Sequence, residues 1–235
     1  MLTHLTAFAT ALLALGGWLF PASTMAEPPG DASASQQGSA WLLPPPSWPA
    51  DNPYSAARAE LGRKLFFDPR LTGDPAQACI TCHNPGLNWA DGMPRAMGAN
   101  RALGRHTPAL INLAYMRAFF WDGRSSSLER AIAQHILTPV AGDHADAHTI
   151  ERRIGGIPGY RAAFDQAFRG PQVTFDRIVK ALAVFVRSIV SQNSAFDRWL
   201  SGDKSAMSDE ARHGFALFTG KARCVRCHSG PAFSD

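Results

Sequence analysis

The sequence predicts a mainly helical protein made of two related units, the second of them incomplete. Three observations carry this. Apolar residues recur at helical spacing in several segments, and no alternating strand pattern stands out. A Gly-x-x-Leu-Phe string followed by a Cys-x-x-Cys-His string occurs twice, as Gly62 to Phe66 ahead of Cys79 and Gly214 to Phe218 ahead of Cys224. Of 235 residues, 46% are hydrophobic and 18% charged, which excludes bulk disorder and supplies a real core.

Residues 1–26 contain no Asp, Glu, Lys or Arg. Leu5 to Phe20 is mostly apolar, and Thr24-Met25-Ala26 offers small residues for cleavage. This reads as a secretory signal peptide, and hence as export to the periplasm. The apolar run falls short of the ~20 residues that span a bilayer, so no stable membrane span is expected after cleavage. Residues 27–52, with Pro44-Pro45-Pro46, read as a mobile leader or an arm that docks late. Trp41, Leu42, Leu43 and Trp48 give that arm a sticky side.

Helices follow. Ser55 to Phe67 carries Leu61, Leu65 and Phe66 on one side and is stopped by Pro69. Ser125 to Leu137 places Leu128, Ile132, His135 and Ile136 at helical spacing. Thr149 to Ile154 is a short helical turn ended by Gly155-Gly156, and Tyr160 to Phe168 follows Pro158-Gly159. Thr174 to Gln192 is the clearest helix, with Thr174 as N-cap and Ile178, Leu182, Phe185, Val186 and Ile189 as its stripe. At ~1.5 Å per residue it would span almost 30 Å. A last helix begins at Ser208, with Asp209 and Glu210 in its first turn, and runs to Phe218. The first unit is thus placed at residues 53–205 and the start of the second at 206–235.

Net charge is +4, but the densest basic group, Lys221, Arg223 and Arg226, is too small for a nucleic-acid footprint. All four cysteines lie in Cys79-Ile80-Thr81-Cys82-His83 and Cys224-Val225-Arg226-Cys227-His228. Two thiols three residues apart can each add to a haem vinyl group, and the next residue, His, is carried under the iron. A zinc ribbon would hold its Cys pairs about 15–20 residues apart, and a disulfide would not require the His. Two covalently bound haem c groups are therefore expected, on Cys79, Cys82, His83 and on Cys224, Cys227, His228, with His83 and His228 as iron ligands. The sixth ligands stay open. Met93 and Met97 lie in the loop after His83, where loop or core packing is the competing role.

At this point the sequence resembles the bacterial di-haem cytochrome c peroxidase family, which includes the methylamine-utilisation di-haem oxidase. The strings that carry the resemblance are Leu61-Gly-Arg-Lys-Leu-Phe-Phe-Asp-Pro-Arg-Leu71, the first haem motif and Thr107-Pro-Ala-Leu-Ile-Asn112. Phe120-Trp-Asp-Gly-Arg124, Ser194-Ala-Phe-Asp-Arg198 and Cys224 to Asp235 complete it. The resemblance implies two cytochrome c-like helical domains, the first holding a peroxidatic haem on His83 and the second a transfer haem on His228. It implies reduction of hydrogen peroxide to water with electrons from a small cytochrome c or copper protein, and leaves a homodimer open. Trp121 matches the family tryptophan that assists electron passage between the haems. Asp122 and Arg124 would tie its loop together, and Arg124 would pair with a haem propionate.

Four departures accompany the resemblance. The loop His that closes the resting peroxidatic haem is missing, its place falling near Gly98-Ala99. Ala141 stands where the family's distal Glu is expected and Ala131 where its Gln is. A positioned acid–base group is worth about 10²–10⁴-fold, so turnover is in question, with Asp143 and His144 as nearby substitutes. His106 replaces the Asn that helps bind calcium, which leaves calcium open. The chain stops soon after His228, so it is expected to be a truncated product that lacks the transfer-haem Met. Two other functions fit the same strings: an oxidase that modifies a partner protein, and a non-catalytic electron carrier.

Overall fold

The computed structural model describes residues 39–98, 102–138 and 146–234. It is mainly helical, and strand pairing among these residues is limited to isolated bridges. Eight α-helices are present among the described residues: α1 (Ala56–Phe67), α2 (Cys79–Cys82), α3 (Leu128–Ile136), α4 (Ala147–Gly155), α5 (Tyr160–Phe168), α6 (Phe175–Arg187), α7 (Ala195–Leu200) and α8 (Asp209–Thr219). No described helix is long and apolar enough to cross a membrane.

Helix starts follow the side chains that can satisfy free N–H groups. Ser55 caps α1, Ser127 caps α3, Asp146 caps α4, Thr174 caps α6 and Ser208 caps α8, each accepting a backbone N–H. The Ser127 cap starts α3 later than the expected Ser125, because Ser125 is held in a bridge to Phe119. Asp146 starts α4 earlier than expected, accepting Thr149 N at 2.7 Å.

The core forms where α1 lies across α6, with α3, α4 and α5 around the pair. Leu61 and Leu65 of α1, Ile178 and Leu182 of α6, Phe164 of α5 and Ile150 and Ile154 of α4 are all but fully buried. Each such side chain contributes roughly 1.5–3 kcal/mol. Gly62 lets the two helix backbones meet. A Cβ there would lie 2.7 Å from the Ala181 carbonyl carbon and 2.8 Å from Phe185 Cβ.

Helix α6 has 13 residues and ends at Arg187, five short of the expected Gln192, so it spans about 20 Å rather than 30. The apolar pattern continues through Ile189, but the backbone is diverted. Asn112 N donates to Ile189 O at 2.9 Å, and Ser191 N donates to Asn112 Oδ1 at 2.8 Å. Arg187 lies buried and pairs with Glu129 of α3 through two bonds of 2.7 and 2.9 Å. Asn52, fully buried, donates to the same carboxylate at 2.9 Å and to Lys180 O at 3.1 Å.

The described part of the arm is docked. Tyr115 Oη donates to Pro44 O at 2.7 Å, and Trp48 packs on Tyr54. Trp41 reaches the second unit, with its ring 5.3 Å from Phe215 and 5.2 Å from Phe233. Helix α7, which the sequence pattern did not announce, adds Phe196 and Trp199 to that aromatic cluster. Residues 1–38, the signal peptide included, lie outside the described residues.

Candidate functional site

Helix α2 is one turn long, and it sets Cys79 and Cys82 beside His83, whose N–H donates to Cys79 O at 2.9 Å. The chain then folds into a tight loop. Asn84 N donates to Ala90 O and Trp89 N to Asn84 O, at 3.0 and 2.8 Å. Asn88 and Trp89 take φ of 55° and 59°, a conformation that L-residues seldom adopt. The result is that Trp89 O lies 3.1 Å from His83 Nδ1. A carbonyl oxygen only accepts, so Nδ1 carries the proton and Nε2 keeps a free lone pair for a metal.

The second string repeats this device. Cys224–Arg226 is a single 3₁₀ turn, and His228 N donates to Cys224 O at 3.0 Å. Phe233, at φ 52°, places its carbonyl 3.1 Å from His228 Nδ1. The two strings differ in setting, since Cys224 and Cys227 are exposed while Cys79 and Cys82 are half-buried.

Cys79, Cys82 and His83 line a cavity of about 420 Å³, closed by Thr107, Trp121 and His135 among others. An adjoining cavity of about 450 Å³ shares Cys79, His83, Trp121 and His135 with it, and Ser234 of the second unit reaches its wall. Burial pushes the Cys79 thiol up to about 12 and raises Cys82 as well, so both are neutral. Burial lowers His83, outweighing its bond to Trp89 O, so the ring is in its neutral, metal-binding form. Two thiols at one edge, an oriented imidazole and mostly apolar walls of this volume fit a haem.

Trp121 is 53% exposed at the mouth of both cavities. Its Nε1 donates to His106 O at 3.0 Å, and the two rings lie 4.4 Å apart. Asp122 takes Arg124 at 2.7 Å and Arg105 at 3.2 Å, which ties the loop as the sequence suggested. Arg124 also stacks over Phe120 at 3.6 Å and lines the first cavity. His106 is taken up by Trp121. Among the described residues, no group of three or more His, Cys, Asp or Glu side chains is placed to hold a metal ion.

Of the loop methionines, Met97 lines the first cavity. Met93 is absent from that wall, and both are 51% exposed. Ala131 is buried on α3 at the second cavity. Ala99, Ala141, Asp143 and His144 lie outside the described residues.

Sequence reasoning placed His135 on the inner side of its helix without giving it a role. In the structure it faces His83, with ring centres 6.5 Å apart. Burial, then the nearby His83 and Arg124, lower it to about 4. The available signal was a lone imidazole on an otherwise apolar stripe.

Comparison with known proteins agrees with this site. Residues 56–205 match the family model described as di-haem cytochrome c peroxidase. The methylamine utilization protein MauG of Methylorubrum extorquens is 44% identical over 80% of this chain and 53% of its own length. The cytochrome c551 peroxidase of Nitrosomonas europaea is 38% identical over 78% of this chain and 54% of its own. A crystal structure of a MauG-like protein associated with microbial copper homeostasis superposes with a TM-score of 0.76 at 28% identity, covering 83% of this chain and 58% of that one. The chain thus spans about half the length of the curated relatives it matches. A helical fold around a Cys-x-x-Cys-His cavity, the repeat of that string and these matches together show that the chain belongs to the di-haem cytochrome c peroxidase family.

Proposed function

We propose that this chain is part of an exported, periplasmic di-haem c oxidoreductase that reduces hydrogen peroxide to water. Each peroxide takes two electrons and two protons and yields two waters, the electrons arriving singly from a small cytochrome c or copper protein. The observation that carries the reading is the duplicated proximal device: two Cys-x-x-Cys-His turns, each with its His Nδ1 held 3.1 Å from a backbone carbonyl.

Haem, when bound, supplies the redox chemistry. The chain's own residues do the rest. Cys79 and Cys82 hold one group as thioethers, Cys224 and Cys227 the other, and His83 and His228 ligate the irons. The carbonyls of Trp89 and Phe233 hold the Nδ1–H of each imidazole and aim both rings. Trp121 lies on the wall of the His83 cavity, and Ser234, next to the residue that orients His228, reaches the same wall. This contact supports electron passage between residues 206–235 and the unit at 53–205, with Trp121 on the way. Arg124 is placed to pair with a propionate.

Holo-protein given a reduced donor cytochrome and peroxide is expected to oxidise two donor molecules per peroxide. The absence of peroxide-dependent donor oxidation sinks the proposal. The second reading, an oxidase acting on a partner protein, is supported by the missing loop His near Gly98-Ala99. It predicts a covalent change in a co-purified partner after peroxide addition.

A further inference from the structure

We infer that His135 is the second axial ligand of the haem held by His83, so that helix α3 closes this iron in the resting protein. The inference rests on the reading of His83 as a haem ligand.

The geometry sets the choice. Two metal–imidazole bonds of about 2 Å, with each ring centre about 1 Å behind its nitrogen, require about 6 Å between ring centres. The observed separation of His83 and His135 is 6.5 Å. A His acting instead as an acid–base group over an iron-bound molecule must stand one hydrogen bond of about 2.8 Å farther off, near 9 Å. His135 is too close for that role and correctly spaced for direct ligation.

Three further observations agree. Both rings line both cavities, so the space they share is the space a haem must fill. Among the described residues, neither ring nitrogen of His135 takes part in a hydrogen bond, although the surrounding side chains Leu128, Ile132 and Ile136 pack into the core or against it. His135 lines both cavities, and neither of its nitrogens is among the buried unpartnered polar atoms, so the ring is open to a ligand in that space. His83, by contrast, has its Nδ1 engaged with Trp89 O.

The position on the helix also matters. His135 lies in the last turn of α3, which ends at Ile136. Terminal turns lack half of their backbone bonds and open at the least cost. The iron is therefore closed by a ligand that can be withdrawn, and peroxide must displace it before reacting.

The test uses the ferric holo-protein and reads spin state by EPR and absorption. In the wild-type protein the haem at the His83 site is expected to give a six-coordinate, low-spin spectrum. His135→Ala should turn about half of the total haem high-spin and speed cyanide binding to that half by at least tenfold. Added imidazole should restore the low-spin spectrum, which a misfolded variant would not allow. His135→Met keeps a strong ligand in place and should remain low-spin with shifted bands. A high-spin His83 haem in the wild type, or a low-spin spectrum that His135→Ala leaves unchanged, overturns the inference. Loss of covalently bound haem from the wild-type protein would instead overturn the haem-site reading beneath it.

Discussion

Replacing Gly62 with Ala tests the helix crossing on which the first unit is built. The added Cβ would sit 2.7 Å from the Ala181 carbonyl carbon and 2.8 Å from Phe185 Cβ. Ordinary contacts of this kind lie near 3.5 Å or beyond, so α1 and α6 must separate by most of an ångström. The obstacle is mainly backbone, which no rotamer change relieves. Overpacking of this kind costs about 1–3 kcal/mol, and a clash with backbone belongs at the upper end. Ala gains up to about 1 kcal/mol of helix propensity over Gly, which leaves a net loss of about 2 kcal/mol. At about 2–4 °C per kcal/mol for a chain of this size, Tm should fall by about 4–8 °C. Gly214 is the internal control. It holds the same place in the second Gly-x-x-Leu-Phe string, but a Cβ there meets nothing within 4 Å. Gly214→Ala should therefore leave stability unchanged or raise it by up to about 1 kcal/mol. Thermal unfolding followed by circular dichroism reads both. Equal effects of the two substitutions, in either direction, would refute the argument, because it predicts different outcomes from the same Gly-x-x-Leu-Phe pattern.

Three more outcomes follow from the packing. Arg187→Leu leaves the partly buried Glu129 carboxylate without its cation and should cost about 2–3 kcal/mol, much of it recovered in the Arg187→Leu, Glu129→Leu double variant; urea titration of the three proteins decides this. Acid should destabilise the fold through Glu129 and Asp68. Burial pushes Glu129 up, but its bonds from Arg187 and Asn52 prevail and hold it below its ordinary 4.5, while Arg70 holds Asp68 below 3.8. Depressed carboxyls add stability that is complete above their unfolded values and drains away as pH falls through 4.5 towards the folded ones, so urea midpoints at pH 7 and pH 4 should differ less in Glu129→Gln. Trp41→Ala removes the ring that touches Phe215, Phe218 and Phe233, and should cost about 2 kcal/mol and expose the arm to limited proteolysis; an unchanged cleavage rate would show that the arm is held elsewhere.

Helix starts were legible because a cap is a local event. Thr174 and Ser208 satisfy N–H groups within three residues, and the sequence contains both partners. Helix ends were not, because α6 stops where Asn112, far away in the chain, takes over its backbone. Helix α7 was missed for another reason. Its six residues offer Phe196, Trp199 and Leu200 over less than two turns, too short a run to define a period, although Ser194 and Asp197 form a reciprocal cap. The arm's docking site was likewise illegible. Trp41 and Trp48 announced a sticky side, but their partners are set by tertiary structure.

The same division runs through the candidate site. Everything on the proximal side is encoded within about a dozen residues: the thiols, the imidazole, and a positive-φ residue that turns a carbonyl onto Nδ1. It is therefore repeated in both units, in spite of their different surroundings. The distal side of the first cavity is a product of packing, since α3 is held there by the core contacts of Leu128 and Ala131 and by the bonds of Arg187 and Asn52 to Glu129. One helical turn separates Ala131 from His135, so a substitution at one of these positions changes what the other must do. Ala131, small and buried, offers the cavity no polar group. His135 is then the imidazole that α3 presents to it. A small apolar residue at 131 and an imidazole at 135 together set the character of this wall of the cavity. The spin state of a haem held by His83 is the property that would report it.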